Sequence, residues 1–163
     1  MRTEPIQPSV RVDYKKIAPE AITTIAGIER YVRSSGLDPA LLELVKLRAS
    51  MINGCAYCVD MHTKDARARG ESEQRLYAVT IWKEAPFFTP RERAALAWTD
   101  AVTQVSADHV PDEVYQAVRE QFDEKQLVDL TMAVIAINSW NRLAVSFRTL
   151  AGTYEPARGH AAG

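Results

Sequence analysis

Only two cysteines and three histidines occur in the 163 residues, which leaves no material for a disulfide framework and little for a metal centre. Long apolar runs are missing too: nowhere do 18 consecutive apolar residues occur, so no membrane span is expected. There is no excess of charge of one sign. Lys and Arg number 20 against 21 Asp and Glu, for a net charge of −1, and without a basic face nucleic acid is not an expected partner. The opening stretch MRTEPIQPSVRVDY lacks the apolar core and small-residue cleavage site of an export signal. The expected compartment is therefore the reducing cytoplasm, where a lone close pair of cysteines more often serves catalysis or metal binding than stapling. Paired alternating segments joined by a tight turn, the mark of a β-hairpin, are also absent.

What the chain does have is 47% hydrophobic and 25% charged residues, the balance of one globular domain with one core. Its punctuation is helical. Residues 1–18, with Pro5 and Pro8 and no helical period, read as an extended N-terminal arm. Pro19 opens a helix to about Ser34, and Gly36 stops it. Asp38-Pro39 pairs a capping residue with proline at the first helical position. The helix that follows is apolar on most of its circumference through Leu41, Leu42, Leu44, Val45 and Leu47, so it belongs at the centre. Asn53-Gly54 breaks it. A second helix starts at Cys55 and ends near Gly70. Further helices are expected over about 72–82, from Thr89-Pro90-Arg91-Glu92, from Pro111, from Asp123 to Asn138, and from Ser139 to Ala151. The fold class is all-α, a bundle of about seven or eight helices over residues 19–152, with a flexible tail over 153–163.

Aligned with itself, the chain shows one repeat at a constant offset of 85 residues, placing Asp123 on Asp38 and Asn138 on Asn53. Leu127, Leu130 and Ile137 then fall on Leu42, Val45 and Ile52. The cysteines are not repeated: Trp140 stands opposite Cys55 and Leu143 opposite Cys58. The pattern reads as one helical hairpin used twice, active over about 38–70 and degenerate over about 123–151.

The chemistry concentrates at Cys55-Ala56-Tyr57-Cys58. If Cys55 begins a helix, Cys55, Cys58 and His62 stand at i, i+3 and i+7, within about 60° of one another on one face. A thiol at a helix N-terminus meets unsatisfied N–H groups and the positive end of the dipole, both of which favour the nucleophilic thiolate. His62 is within reach as a proton acceptor. Glu43, set in an otherwise apolar helix, needs a partner if it is buried, and His62 would serve. Other uses of the same residues stay open. Glu43 could pair with Lys46 or Arg48 at the surface. Cys55, Cys58 and His62 could hold zinc, with Glu43 or His109 as a fourth ligand. A structural disulfide would close so short a loop that it adds no more than about 2 kcal/mol. Trp82, Trp98, Trp140, Phe87 and Phe88 read as core or interface aromatics, with Phe87 and Phe88 as a possible apolar approach to the thiols.

Taken together, Glu43, then Asn53-Gly54-Cys55-Ala56-Tyr57-Cys58, then His62 resembles the signature of the alkylhydroperoxidase D (AhpD)-like proteins of the carboxymuconolactone decarboxylase superfamily. The resemblance implies an all-α fold and a thiol-dependent peroxidase for hydrogen peroxide or organic hydroperoxides. It makes Cys58 the attacking thiolate, Cys55 the resolving cysteine, and His62 with Glu43 the proton relay, with Asn53 and Tyr57 in support. Tyr57 stands where some members carry a further histidine. The resemblance further implies an external dithiol reductant such as a lipoylated protein, no cofactor or metal, and a homo-oligomer, trimer or hexamer. Beside it stand two different activities: a redox-sensing or zinc-binding interaction module, and a decarboxylase-like activity.

Overall fold

Proline and short capping side chains decide where the helices of this protein begin. The computed structural model describes residues 8–157, and every regular element among them is helical, with no strand. The helices are α1 (Tyr14–Ile17), α2 (Pro19–Arg33), α3 (Pro39–Ile52), α4 (Ala56–Ala68), α5 (Glu73–Ala78), α6 (Pro90–Thr103), α7 (Val105–Asp108), α8 (Asp112–Arg119) and α9 (Glu124–Phe147). Asp38 caps α3 by accepting the Ala40 N–H, with Pro39 in the first turn. Thr89 with Glu92, and Asp123 with Gln126, form reciprocal capping boxes at α6 and α9. Each such cap stabilises its helix by about 1 kcal/mol. The all-α expectation holds. The extra helices beyond seven or eight are the single turns α1 and α7, too short to carry a periodic signal.

α3 lies at the centre, as its nearly all-round apolar surface requires. Leu41, Leu42 and Val45 pack with Trp98 of α6, Val118 of α8 and Leu127 and Leu130 of α9. Leu44 and Leu47 face the other way, onto Leu76, Val79, Trp82, Phe88 and Leu96. Burying each of these leucines contributes roughly 1.5–3 kcal/mol. A third, smaller cluster joins Ala49 of α3 to Cys55, Cys58, and Ile137 and Ala144 of α9. That cluster holds the thiols between the central helix and the last one.

The structure corrects three expectations. The arm expected to be extended over 1–18 contains α1, because Asp13 accepts the Lys16 N–H and starts a turn. Its beginning, residues 1–7, lies outside the described residues. The degenerate copy over 123–151 is not a hairpin: α9 runs unbroken from Glu124 to Phe147. In the first copy Gly54 turns the chain at φ +65°, a left-handed conformation that favours glycine. The second copy has Ser139 there, and the Asn138 side chain donates back to the Val134 carbonyl at 2.9 Å without interrupting the helix. Finally, part of the tail expected to be flexible over 153–163 is tied down. Lys64 Nζ donates to the Tyr154 carbonyl at 2.8 Å, and the Tyr154 hydroxyl donates to Asp65 at 2.7 Å. Residues 158–163 lie outside the described residues.

Candidate functional site

The turn at Gly54 leaves Cys55 as the N-cap of α4, where Cys55 Sγ accepts the Cys58 N–H at 3.3 Å. Both cysteines are free thiols and buried. Cys55 is pulled down to about 7, first by the hydrogen bond from the Cys58 thiol and then, against the opposing effect of burial, by the Cys58 N–H and the Asn141 amide. The same thiol–thiol hydrogen bond, with burial, pushes Cys58 far above its ordinary range. The first ionisation of the pair thus falls near neutral pH and is seated on Cys55 at the helix N-terminus. Cys58, not Cys55, borders the adjoining cavity of about 610 Å³. Charge and access are therefore divided between the two sulfurs.

One turn further along α4, His62 Nδ1 lies 2.8 Å from Glu43 Oε2 of α3. Helix packing makes this contact, since the residues are 19 apart in sequence. Burial pushes the Glu43 carboxyl up, but the His62 hydrogen bond and the charges of His62, Lys46 and Arg69 outweigh it and hold it below its ordinary value. A carboxylate only accepts, so Nδ1 carries the hydrogen. His62 Nε2 is buried with no hydrogen-bond partner among the described residues. A buried unmatched nitrogen costs about 1–3 kcal/mol, so Nε2 is open to a hydrogen bond with a third group.

The sulfurs are also served by groups that sequence reasoning did not single out. Asn141 of α9 lowers both thiols, and the Ser50 hydroxyl lowers Cys58. Asn141 Nδ2 donates to Ser50 Oγ at 3.0 Å. Asn53 Nδ2 bridges to Asn138 Oδ1 at 3.0 Å and Asn141 Oδ1 at 2.9 Å. The supporting Asn53 therefore acts through α9 rather than on the thiols. The signal that could have found Asn141 was its type: a third amide near the repeat, on a strongly apolar helix. Tyr57 borders the cavity with its ionisation pushed up, chiefly by burial, which keeps the phenol neutral.

Several readings of these residues are settled by their neighbours. Lys46 pairs with Glu29 at 2.7 Å and Arg48 with Asp100 at 2.6 Å, so neither is Glu43's partner at a surface. Phe87 and Phe88 are no approach to the thiols: Phe88 packs in the cluster with Trp82 and Leu96, and Trp140 is the tryptophan that borders the cavity. Among the described residues the close group of potential metal ligands is Glu43, His62 and Asp65, without either cysteine. A cation there would have to displace the hydrogen shared by His62 and Glu43, and Asp65 already accepts from Tyr154.

Comparison with known proteins gives the family and the fold. The family model described as the carboxymuconolactone decarboxylase family matches residues 18–101. The uncharacterized protein YdfG of Bacillus subtilis is 46% identical over 138 residues, covering 85% of this chain and 94% of its own length. A crystal structure of an Agrobacterium tumefaciens protein of unknown function, whose name suggests an AhpD antioxidant defence role, superposes with a TM-score of 0.87 at 44% identity. The alignment covers 90% of this chain and all of that one. The debrominase Bmp8 shares the fold at a TM-score of 0.76 and 17% identity, covering 85% of this chain and 74% of its own. One fold thus carries more than one chemistry.

Proposed function

Because the chain belongs to the carboxymuconolactone decarboxylase family and sets a dithiol beside a buried Glu–His pair, we propose that it is a thiol-dependent peroxidase of the alkylhydroperoxidase type. It would reduce hydrogen peroxide or organic hydroperoxides in antioxidant defence. The observation that carries this reading is the division between the sulfurs: Cys55 is lowered to about 7 while Cys58 borders the cavity. A staple would need neither property, and a zinc site would gather His62 with the thiols.

The cycle begins as the Cys58 proton passes along the thiol–thiol hydrogen bond to Cys55, making Cys58 the thiolate at the cavity. Cys58 Sγ attacks the terminal oxygen of R–O–O–H and the O–O bond breaks. Cys58 becomes a sulfenic acid, and the alkoxide leaves as the alcohol with a proton that His62 Nε2 has first taken up from water. Neutral His62 next takes the Cys55 proton. The Cys55 thiolate attacks the sulfenic sulfur, hydroxide leaves, and His62 returns the proton to form water. Two electrons have then passed from the dithiol to the peroxide, leaving the Cys55–Cys58 disulfide. An external dithiol, such as a lipoylated protein, restores both thiols by exchange. Glu43 holds the imidazole and balances its charge during the cycle.

The same reading includes a homo-oligomer, trimer or hexamer, in the cytoplasm. Among the described residues no helix is long and apolar enough to cross a membrane. The test is dithiol-dependent peroxide consumption by the wild type, Cys58→Ser and Cys55→Ser. Each substitution is expected to lower turnover by about 100-fold or more, with Cys55→Ser trapping a sulfenic acid at Cys58. Wild-type rates in both variants would show the reading to be wrong. A reversible disulfide without turnover would move the protein to the redox-sensing class.

A further inference from the structure

We propose that the cavity beside Cys58 recognises an amphipathic carboxylate. Resting on the peroxidase reading, this makes the substrate an organic hydroperoxide with an apolar body and a carboxylate held by Lys15 and Arg33. Size is the first argument. At about 610 Å³ the cavity has room for roughly twenty waters at about 30 Å³ each, far more than hydrogen peroxide requires. It lies within the roughly 300–1,000 Å³ typical of organic ligand sites. Lining comes second: Val32, Leu42, Met61 and Trp140 offer apolar surface, which a small polar peroxide would leave unused.

Charge decides the rest. Four cations, Lys15, Arg33, Lys46 and Arg69, and three acids, Glu29, Glu43 and Asp65, line the cavity. Lys46 is taken by Glu29 at 2.7 Å, and Arg69 lies 3.9 Å from Glu43. Asp65 accepts the Tyr154 hydroxyl. Lys15 and Arg33 have no carboxylate partner among the described residues. Lys15 Nζ stands 5.9 Å from the centre of the Tyr57 ring, beside the residue that bears the reacting sulfur. Two exposed cations with no carboxylate partner among the described residues, lining a cavity that also offers apolar surface, suit an anionic head on an apolar chain. The reaction leaves the carboxylate untouched: R–O–O–H becomes R–O–H, and the two electrons come from the Cys55–Cys58 dithiol as above.

The experiment has two arms. In the first, a medium-chain hydroxy carboxylate and its uncharged methyl ester, which carry no peroxide, are titrated against the intact protein while Trp140 emission is followed. Trp140→Phe identifies the signal, because Trp82 and Trp98 lie in other clusters. In the second, kcat/KM is compared for the matching hydroperoxy carboxylate, its methyl ester and hydrogen peroxide. The acid is expected to exceed the ester about tenfold in both arms, the factor that about 1.4 kcal/mol supplies. Lys15→Met/Arg33→Met, which alters exposed side chains, is expected to bring acid and ester to parity. Equal binding of acid and ester by the wild type, or a preference unchanged in the double variant, overturns the inference. Hydrogen peroxide turnover judges the peroxidase reading separately: it can persist when the carboxylate preference fails, and its loss leaves the binding arm intact.

Discussion

The stretch from Asp38 to Gly70 and the stretch from Asp123 to Ala151 start alike and diverge at one residue. Both begin on an aspartate cap, and both run an apolar helix into an asparagine. After Asn53, Gly54 turns the chain and hands Cys55 the N-terminus of a new helix. After Asn138 the helix continues for nine further residues to Phe147. The first stretch thus gains a helix end where a thiol is acidified. The second gains an unbroken wall against which that end is packed. The two meet directly, since Asn53 donates to Asn138, its own counterpart at the offset of 85. The stretch without cysteines still serves the site: Trp140 lines the cavity and the Asn141 amide lowers both thiols.

That division can be broken from either side. The largest effect is expected from His62→Ala, which removes the proposed proton carrier and leaves Glu43 buried without its hydrogen-bond partner. Turnover should fall by about 10²–10⁴ and stability by about 3–5 kcal/mol, read from peroxide consumption and thermal melting. The pH dependence should also reverse. In the wild type the lowered Glu43 pKa contributes stability that is present above the carboxyl's ordinary value of 4.5 and lost as pH falls through the folded value. In the variant burial raises that pKa, so stability should instead be lost as pH rises. An acid-side slope unchanged from wild type would remove Glu43 and His62 from a common unit.

A break on the other side comes next in size. Asn141→Leu removes one hydrogen bond each from Ser50 and Asn53, which keep Lys46 and Asn138 as partners, at about 1 kcal/mol for each bond lost. Because the amide lowers both thiols, the midpoint of alkylation rate against pH should rise from about 7. A midpoint unmoved in a folded variant would mean that α9 packs the thiols without tuning them.

The smallest effects test the corner itself. Gly54→Ala forces a side chain into a left-handed conformation at φ +65°, costing about 1–2 kcal/mol. Nothing stands within 4 Å of the added methyl, so the whole loss is backbone strain. Ser139→Gly, which writes the first copy's residue into the second, should cost about 1 kcal/mol or less as a glycine inside a helix. If Ser139→Gly cost more than Gly54→Ala, glycine placement would not explain why one copy turns and the other runs straight.

Much of this was legible along the chain because it is local. The caps at Asp38, Thr89 and Asp123 are read within three residues of themselves. Cys55, Cys58 and His62 sit on one helix, so spacing alone puts them on a face. The misreadings are of the opposite kind. Asn138-Ser139 looked like a break because Asn53-Gly54 is one, but only glycine makes the left-handed turn at little cost. Phe88 is a core aromatic in the cluster of Trp82, as its type suggests, and only the alternative of an approach to the thiols fails. Tyr154 sits in a tail with no periodic signal, and what orders it is Lys64 and Asp65 on α4.

The sequence by itself therefore determined the helices, their starts, and the order of dithiol and histidine along α4, since hydrogen bonds within a turn or two set these. Tertiary structure alone decided which sulfur meets the cavity, and it added the Asn141 amide to the local Cys58 contacts that lower Cys55. It also decided that Glu43 reaches His62 across 19 residues and that Asn141 reaches Asn53 across 88. The physical reason is that the turn from Cys55 to Cys58 supplies most of the hydrogen bonds that set a thiol's acidity, whereas access and the Asn141 and Ser50 contacts arrive from α9 and α3 once the core has closed.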